Sequence, residues 1–342
     1  MSLIFADSFD HYTDLLTKYD AAGSNAIRTA GQSRTGIGCV EIIAGAFGPC
    51  KVIRQCQDVL LACAWFSSAS GTPILMLSLG NEGANSQQGS VVTLTCELDR
   101  SISVRAGEAN GAFRLIGQTV PGLVNLNVYN SIAVEGTCSI SAHVKVWCNG
   151  FLVLSLVNVD TRNMHNPSRT YIDSIALWGP AGNASTCFID DVYALDCTDA
   201  VNNSYLGPLR IYASAPTSDG AVVWVPSPAG ANFANVNEIP PDGNTTYNSS
   251  GTIGQSDQYV HPLNGAVPAN SQLFAVQHCM DVEVDTGSQA VTSDIGGVLN
   301  PDTVVLSSGY VIDTWPYDEN PITAAPWLAS AFPLLAGPSV TA

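Results

Sequence analysis

Residues 143–196 read HVKVWCNGFLVLSLVNVDTRNMHNPSRTYIDSIALWGPAGNASTCFIDDVYALD, and the fold turns on them. Val144, Val146 and Cys148 alternate with His143, Lys145 and Trp147, which gives a strand one apolar and one mixed face. Asn149-Gly150 follows, a pair that tolerates the positive φ of a type I′ turn. The chain returns through Phe151 to Val157, apolar on both faces, so a strand covered on both sides is expected. Tyr171 to Trp178 and Thr186 to Leu195 read as two more strands. A buried hairpin followed by "IDDVYALD" is the closing part of a two-sheet sandwich.

Working back toward the N-terminus, short strand patterns recur about every ten residues, the mark of an all-β sandwich. Residues 1–12 read as an opening strand and Asp14 to Tyr19 as a single helical turn. Cys39 to Ile43, Lys51 to Ile53, Pro73 to Leu79, Val91 to Leu98, Ser101 to Val104, Phe113 to Gly117, Leu123 to Tyr129 and Ile132 to Ile140 are strand candidates. Val59 to Phe66, VLLACAWF, is a continuous apolar run that favours a buried strand. Ala21 to Gly38 and Asn81 to Gly89 carry loop and turn chemistry.

The pattern resembles the laminin-G-like, concanavalin A-like jelly roll. That family carries a "v.vNG..v" strand, an "iD.i.l" strand and a final "fIDDv.v.d" strand that pairs with the N-terminus. The counterparts here are Val146 to Val153, Ile172 to Leu177 and Phe188 to Asp196. The opening Ile4 to Tyr12 resembles the phrase "f.DsFD.Y" of tailed-phage virion proteins. The fold itself hosts lectins, glycosidases and inert modules alike.

Length favours a second domain. The sandwich is expected over 1–198, with a polar linker at 199–206 and a smaller, loop-rich β domain at 207–314. The Pro- and Gly-rich stretch 315–342 is expected as an extended C-terminal arm. The second half also resembles tailed-phage structural proteins, through Gly207, Arg210, Pro216, Thr217, Gly220, Trp224, Pro226, Asn232, Asp242, Thr246, Tyr247, Asp257, Tyr259, Trp315, Asn320, Pro321 and Trp327. The two resemblances imply a virion component, non-enzymatic, on the exterior of the particle as a head decoration, collar or tail part. Its implied partners are other virion proteins and copies of itself. The alternative is an adhesin or glycan-processing module for host glycans.

The 342 residues are 46% hydrophobic and 12% charged, and 12 Lys and Arg stand against 29 Asp and Glu, a net charge of −17. Such acidity argues against nucleic acid, which demands a basic stripe, and against anionic membrane surfaces. Met1 to Ala6 lacks a basic start, and Asp7 and Asp10 break the apolar run, so no secretion signal is expected. A chain made in a cytoplasm is expected, and the resemblance implies that it is carried on the virion.

Ten cysteines lack zinc-type spacings. One reading makes them buried apolar thiols in a reducing compartment. The other makes some of Cys50, Cys56, Cys63, Cys187 and Cys197 disulfide partners after lysis. Glu97-x-Asp99 opens a glycosidase-like motif but lacks the second glutamate, so a surface or salt-bridged pair is favoured over a catalytic one. Glu283 and Asp285 receive the same reading, and Asp285-Thr286-Gly287 reads as a turn. Asp190-Asp191 offers too few oxygens for calcium; one is expected to face solvent and the other to satisfy backbone. Histidines 11, 143, 165, 261 and 278 show no partner spacing. No cofactor, metal or catalytic residue is therefore assigned. Trp147, on the mixed face of its strand, is the candidate for stacking on a sugar, against plain sheet packing.

Overall fold

The computed structural model describes residues 2–24, 26–34, 36–43, 47–78, 90–109, 112–164, 167–178, 186–268, 270–285 and 289–341. The chain forms two compact units. One comprises 1–9 and 14–211, the other 10–13 and 212–342.

Among the described residues the first unit carries fourteen strands. They are β1 (Leu3–Asp7), β2 (Ala26–Thr29), β3 (Cys39–Ile43), β4 (Phe47–Cys56), β5 (Asp58–Ser67), β6 (Thr72–Ser78), β7 (Ser90–Cys96), β8 (Ile102–Ala109), β9 (Ala112–Gln118), β10 (Asn130–Thr137), β11 (Ala142–Cys148), β12 (Phe151–Val159), β13 (Ile172–Trp178) and β14 (Thr186–Asp196). An eight-stranded antiparallel sheet runs β12-β11-β10-β5-β14-β3-β2, with β1 also paired to β14. A six-stranded sheet runs β4-β13-β6-β7-β8-β9. The two face each other: a Cβ at Gly136 of β10 would stand 3.5 Å from Val92 and 3.7 Å from Leu77 of the other sheet. This is the expected all-β, concanavalin A-like sandwich.

The hairpin forms as its sequence dictates. β11 alternates buried and half-buried residues along its whole length. Asn149 and Gly150 take φ of 51° and 90°, the turn that Asn-Gly favours. The run Val59 to Phe66 is continuous because β5 is the middle of its sheet, paired on one side with β10 and on the other with β14. Its outer face is also roofed. Residues 197–211 form a strap over it: Cys197 N–H donates to Asp58 O, Tyr193 Oη donates to Gly207 O, and Ile211 N–H donates to Asp191 Oδ1.

Three expectations give way. Residues 199–206 are no linker, since the strap belongs to the first unit and the division falls at 211/212. β12 is not covered on both sides. It is the sheet's free edge, with Phe151 75%, Leu152 54% and Val157 68% exposed. The strap reaches Trp147 on β11, and β12 lies one strand further out. Leu123 to Tyr129 forms turns and not a strand.

Among the described residues the second unit holds twelve short strands. They are β15 (Ser218–Asp219), β16 (Val225–Ser227), β17 (Tyr247–Ser249), β18 (Tyr259–His261), β19 (Val276–Val282), β20 (Ala290–Ile295), β21 (Val298–Leu299), β22 (Val304–Val305), β23 (Val311–Tyr317), β24 (Glu319–Asn320), β25 (Ala325–Pro326) and β26 (Leu334–Val340). The tail 315–342 is not an arm. β26 sits inside the sheet β15-β18-β26-β20-β21, and Trp315, Trp327 and Leu334 are buried together with Met280, Val291 and Ile295.

Candidate functional site

Side chains on one face of a sheet meet across strands, and the eight-stranded sheet gathers a titratable group this way. Glu135 of β10 lies opposite Lys145 of β11, and Thr137 lies opposite Asp58 of β5. His143, two positions before Lys145, shares the outer face. His143 Nε2 stands 3.1 Å from Glu135 Oε1 and 3.2 Å from Asp58 Oδ2, and Lys145 Nζ donates to Glu135 Oε1. Glu135 is buried; the other three are partly exposed.

The electrostatics follow from the crowding. Burial pushes Asp58 up to about 6; the His143 charge pulls it down and that of Glu135 raises it further. The hydrogen bond to Glu135 raises Lys145. Asp58 Oδ1 is shielded from solvent and has no hydrogen-bond partner. The Cys197 thiol feels the same two carboxylates, and burial raises it. Chemically, the group can hold a cation or pass a proton.

Sequence reading missed this cluster. Its members are spread over three strands, and only the strand register joins them. The one available signal was His143-x-Lys145 on the mixed face of β11.

The other candidates resolve one by one. Glu97 accepts from Arg105 Nη2 at 2.8 Å and from Ser103 Oγ. Against the cost of partial burial, these bonds hold Glu97 low. Asp99 Oδ1 accepts from Ser101 N–H at 2.9 Å and Oγ at 2.6 Å, a turn closed by its own neighbour. The pair is thus a salt-bridged and turn-forming one. Glu283 is half-buried and Asp285 exposed; Thr286, Gly287 and His165 lie outside the described residues, as do Asn81 to Gly89.

Neither Asp190 nor Asp191 faces solvent. Asp190 accepts the N–H of Arg34 and of Asp191, both at 2.7 Å. Asp191 accepts from Arg34 Nη1 and from Ile211 N–H, both at 2.8 Å. With φ of 49° at Asp191 and a bulge in the β5 pairing, Asp190 is spent on the Arg34 and Asp191 backbone and Asp191 on Arg34 and the strap. A calcium role is left no free oxygen pair.

Trp147 is stacked by Tyr205 of the strap, ring centroids 5.0 Å apart and planes at 27°. The strap thereby occupies a ring face that a sugar would need. All ten cysteines are free thiols, and Cys50, Cys56, Cys63 and Cys187 are buried, so the bridges expected among them and Cys197 are not formed. Burial pushes Cys50 and Cys187 up to about 12, which keeps them protonated and unreactive.

In the second unit, many of the residues that carry the phage resemblance order loops. Asp257 is fully buried and accepts four bonds: Val223 N–H at 2.6 Å, Trp224 N–H at 2.8 Å, Asn232 Nδ2 at 2.7 Å and Tyr259 Oη at 2.9 Å. Asp242 Oδ1 accepts from Thr246 N–H and Oγ1, both at 3.0 Å, and Trp327 Nε1 donates to Tyr317 O at 2.8 Å. His261 and His278 lie 6.2 Å apart, and His278 Nδ1 is 2.7 Å from Ser293 Oγ.

These features define a class first: an all-β protein of two units, the larger a concanavalin A-like sandwich. No family model matches the chain, and no curated protein is similar to it in sequence. Among solved structures, the endo-β-1,4-glucuronan lyase of the fungus Trichoderma reesei is similar at 11% identity, over 56% of this chain and 94% of that one, with a TM-score of 0.38. Alginate lyase vAL-1 from Chlorella virus is similar at 9% identity, over 50% and 88%, with a TM-score of 0.36. The carbohydrate recognition domain of Emp46p, in a potassium-bound form, is similar at 10% identity, over 51% and 89%, with a TM-score of 0.35. Likeness of this order says nothing of chemistry.

Proposed function

We propose that this chain is a non-enzymatic structural component of the exterior of a tailed-phage particle, acting through protein contacts and first through contacts between its own copies. The observation that carries the reading is β12. Its nine residues, Phe151 to Val159, hold no charge and end the eight-stranded sheet with Phe151, Leu152 and Val157 largely exposed. Free, long, apolar edges are ones that proteins otherwise blunt or cover. In a chain of net charge −17, an uncharged edge is where two copies meet with least repulsion. Antiparallel pairing of β12 with its own copy closes under a two-fold axis. The resemblance of Ile4 to Tyr12 and of residues 205–330 to virion proteins supplies the particle. Mass spectrometry of purified particles of the phage encoding the chain tests it: the chain is present at many copies, and its absence would sink the reading.

A second reading, glycan processing or recognition, is favoured by one observation, the meeting of Asp58, Glu135, His143 and Lys145 on a partly exposed face. A basic side chain beside an imidazole suits binding of an acidic sugar and removal of its proton. Incubation with alginate and with glucuronan, followed for unsaturated products, together with a glycan array, tests this reading; no product and no binding would discard it.

A further inference from the structure

We propose that Asp58, Glu135 and His143 form a divalent transition-metal site, of the zinc type, on the outer face of the eight-stranded sheet. The inference stands apart from the assembly role; it uses three of the four residues of the glycan reading but does not rest on glycan binding.

Geometry carries it. One donor atom from each residue lies within 4.8 Å of the others. The imidazole Nε2 is 3.1 Å from one carboxylate and 3.2 Å from the other. Ligands held about 2.0 Å from a tetrahedral zinc stand about 3.3 Å apart, so the imidazole already has nearly that spacing from each carboxylate, and the two carboxylates need only close on the ion from within 4.8 Å. The three come from adjacent hydrogen-bonded strands, β5, β10 and β11, which fixes them more firmly than a loop would.

A second, independent observation points to a ligand. Asp58 Oδ1 is out of solvent and makes no hydrogen bond. Buried polar atoms are rarely left so. An ion shared with Oδ2 would satisfy it. A His among the donors favours zinc, copper or nickel over calcium or magnesium, which take oxygen ligands. The set of one His and two carboxylates leaves a coordination position open for water or an exogenous ligand.

Lys145 is the competing cation. It holds Glu135 Oε1 when no metal is bound, and it is 39% exposed, so its ammonium can swing into water as the ion enters. Divalent charge then balances the two carboxylates in its place.

The test is titration of the full, tag-free chain with zinc chloride alone, read by calorimetry and by cobalt(II) absorption. The wild type binds one equivalent, with a tetrahedral cobalt spectrum. His143→Ala and Asp58→Asn each weaken binding by more than about a hundredfold, beyond the ~10–100-fold that loss of an outer-shell partner causes. His143 is partly exposed, so His143→Ala keeps the fold, as circular dichroism will report, even if Asp58→Asn does not. Equal binding by wild type and His143→Ala would mark an adventitious ion only, and would overturn the site. So would no binding by the wild type.

Discussion

Lys18 shows how one side chain can hold a sandwich's entry. Its ammonium and the Asp7 carboxylate are both fully buried and 3.1 Å apart. Lys18 Nζ also donates to Ala6 O at 2.9 Å and sits 5.1 Å from the Phe5 ring centroid. Asp7 Oδ1 further accepts Phe9 N–H at 2.9 Å, where the chain turns with φ of 59°. The phrase Phe5-Ala-Asp-Ser-Phe9 is therefore a structural lock. Removing one partner leaves the other charged and buried, so Lys18→Ala is expected to cost ~3–5 kcal/mol. Urea unfolding of the variant checks this; a loss below about 1 kcal/mol would mean Asp7 is neutral or hydrated. Single residues were partly legible in the sequence. The salt-bridged Glu97 was anticipated. The double burial of Asp190 and Asp191 was not, because the Arg34 loop and the strap that cover them carry no periodic signal.

Elements were legible where burial writes a period. β11 shows alternation and β5 an unbroken run, and both were found on that ground. β12 reads the same as a buried strand, because an apolar strand at a sheet edge is written like a core strand. β26 was hidden for the opposite reason. Leu-Leu-Ala-Gly-Pro-Ser-Val contains Gly337 and Pro338, both poor strand residues. Gly337 is there because the chain passes so close to Asp257 that a Cβ would lie 1.9 Å from its carbonyl oxygen. Gly337→Ala must push β26 away from this neighbour. It is expected to cost at least ~2 kcal/mol, in the manner of an overpacked core. Thermal unfolding followed by the fluorescence of buried Trp315 and Trp327 reads the loss; an unchanged midpoint would show that β26 can shift freely.

Across each unit as a whole, stability has its own pH dependence. In the second unit, burial and then the His261 charge lower His278 from its ordinary 6.5 to about 3, and burial also lowers His261. The folded unit therefore refuses protons that the unfolded chain accepts. The histidines' contribution to its stability is complete above about 6.5 and falls as pH drops from there toward 3, opposed by Asp281, which burial raises to about 6. Acid titration of the tryptophan signal should show this loss, and His278→Gln should flatten it; an equal slope in both would assign the effect elsewhere. The all-β class and the sandwich were legible because composition and strand spacing are global properties. The Asp58–Glu135–His143 cluster was not, since it exists only through the pairing of β5, β10 and β11.

The central claim is that the uncharged edge β12 joins copies of this chain. Light scattering coupled to size exclusion, over a range of concentrations, tests it most directly on the wild type and on Val157→Lys. A concentration-dependent dimer is expected for the wild type and a monomer for the variant, which keeps its β-sheet circular dichroism because Val157 is exposed, while its thermal midpoint loses the concentration dependence of the wild type. A wild type that stays monomeric at every concentration, or a variant that associates equally well, would contradict it.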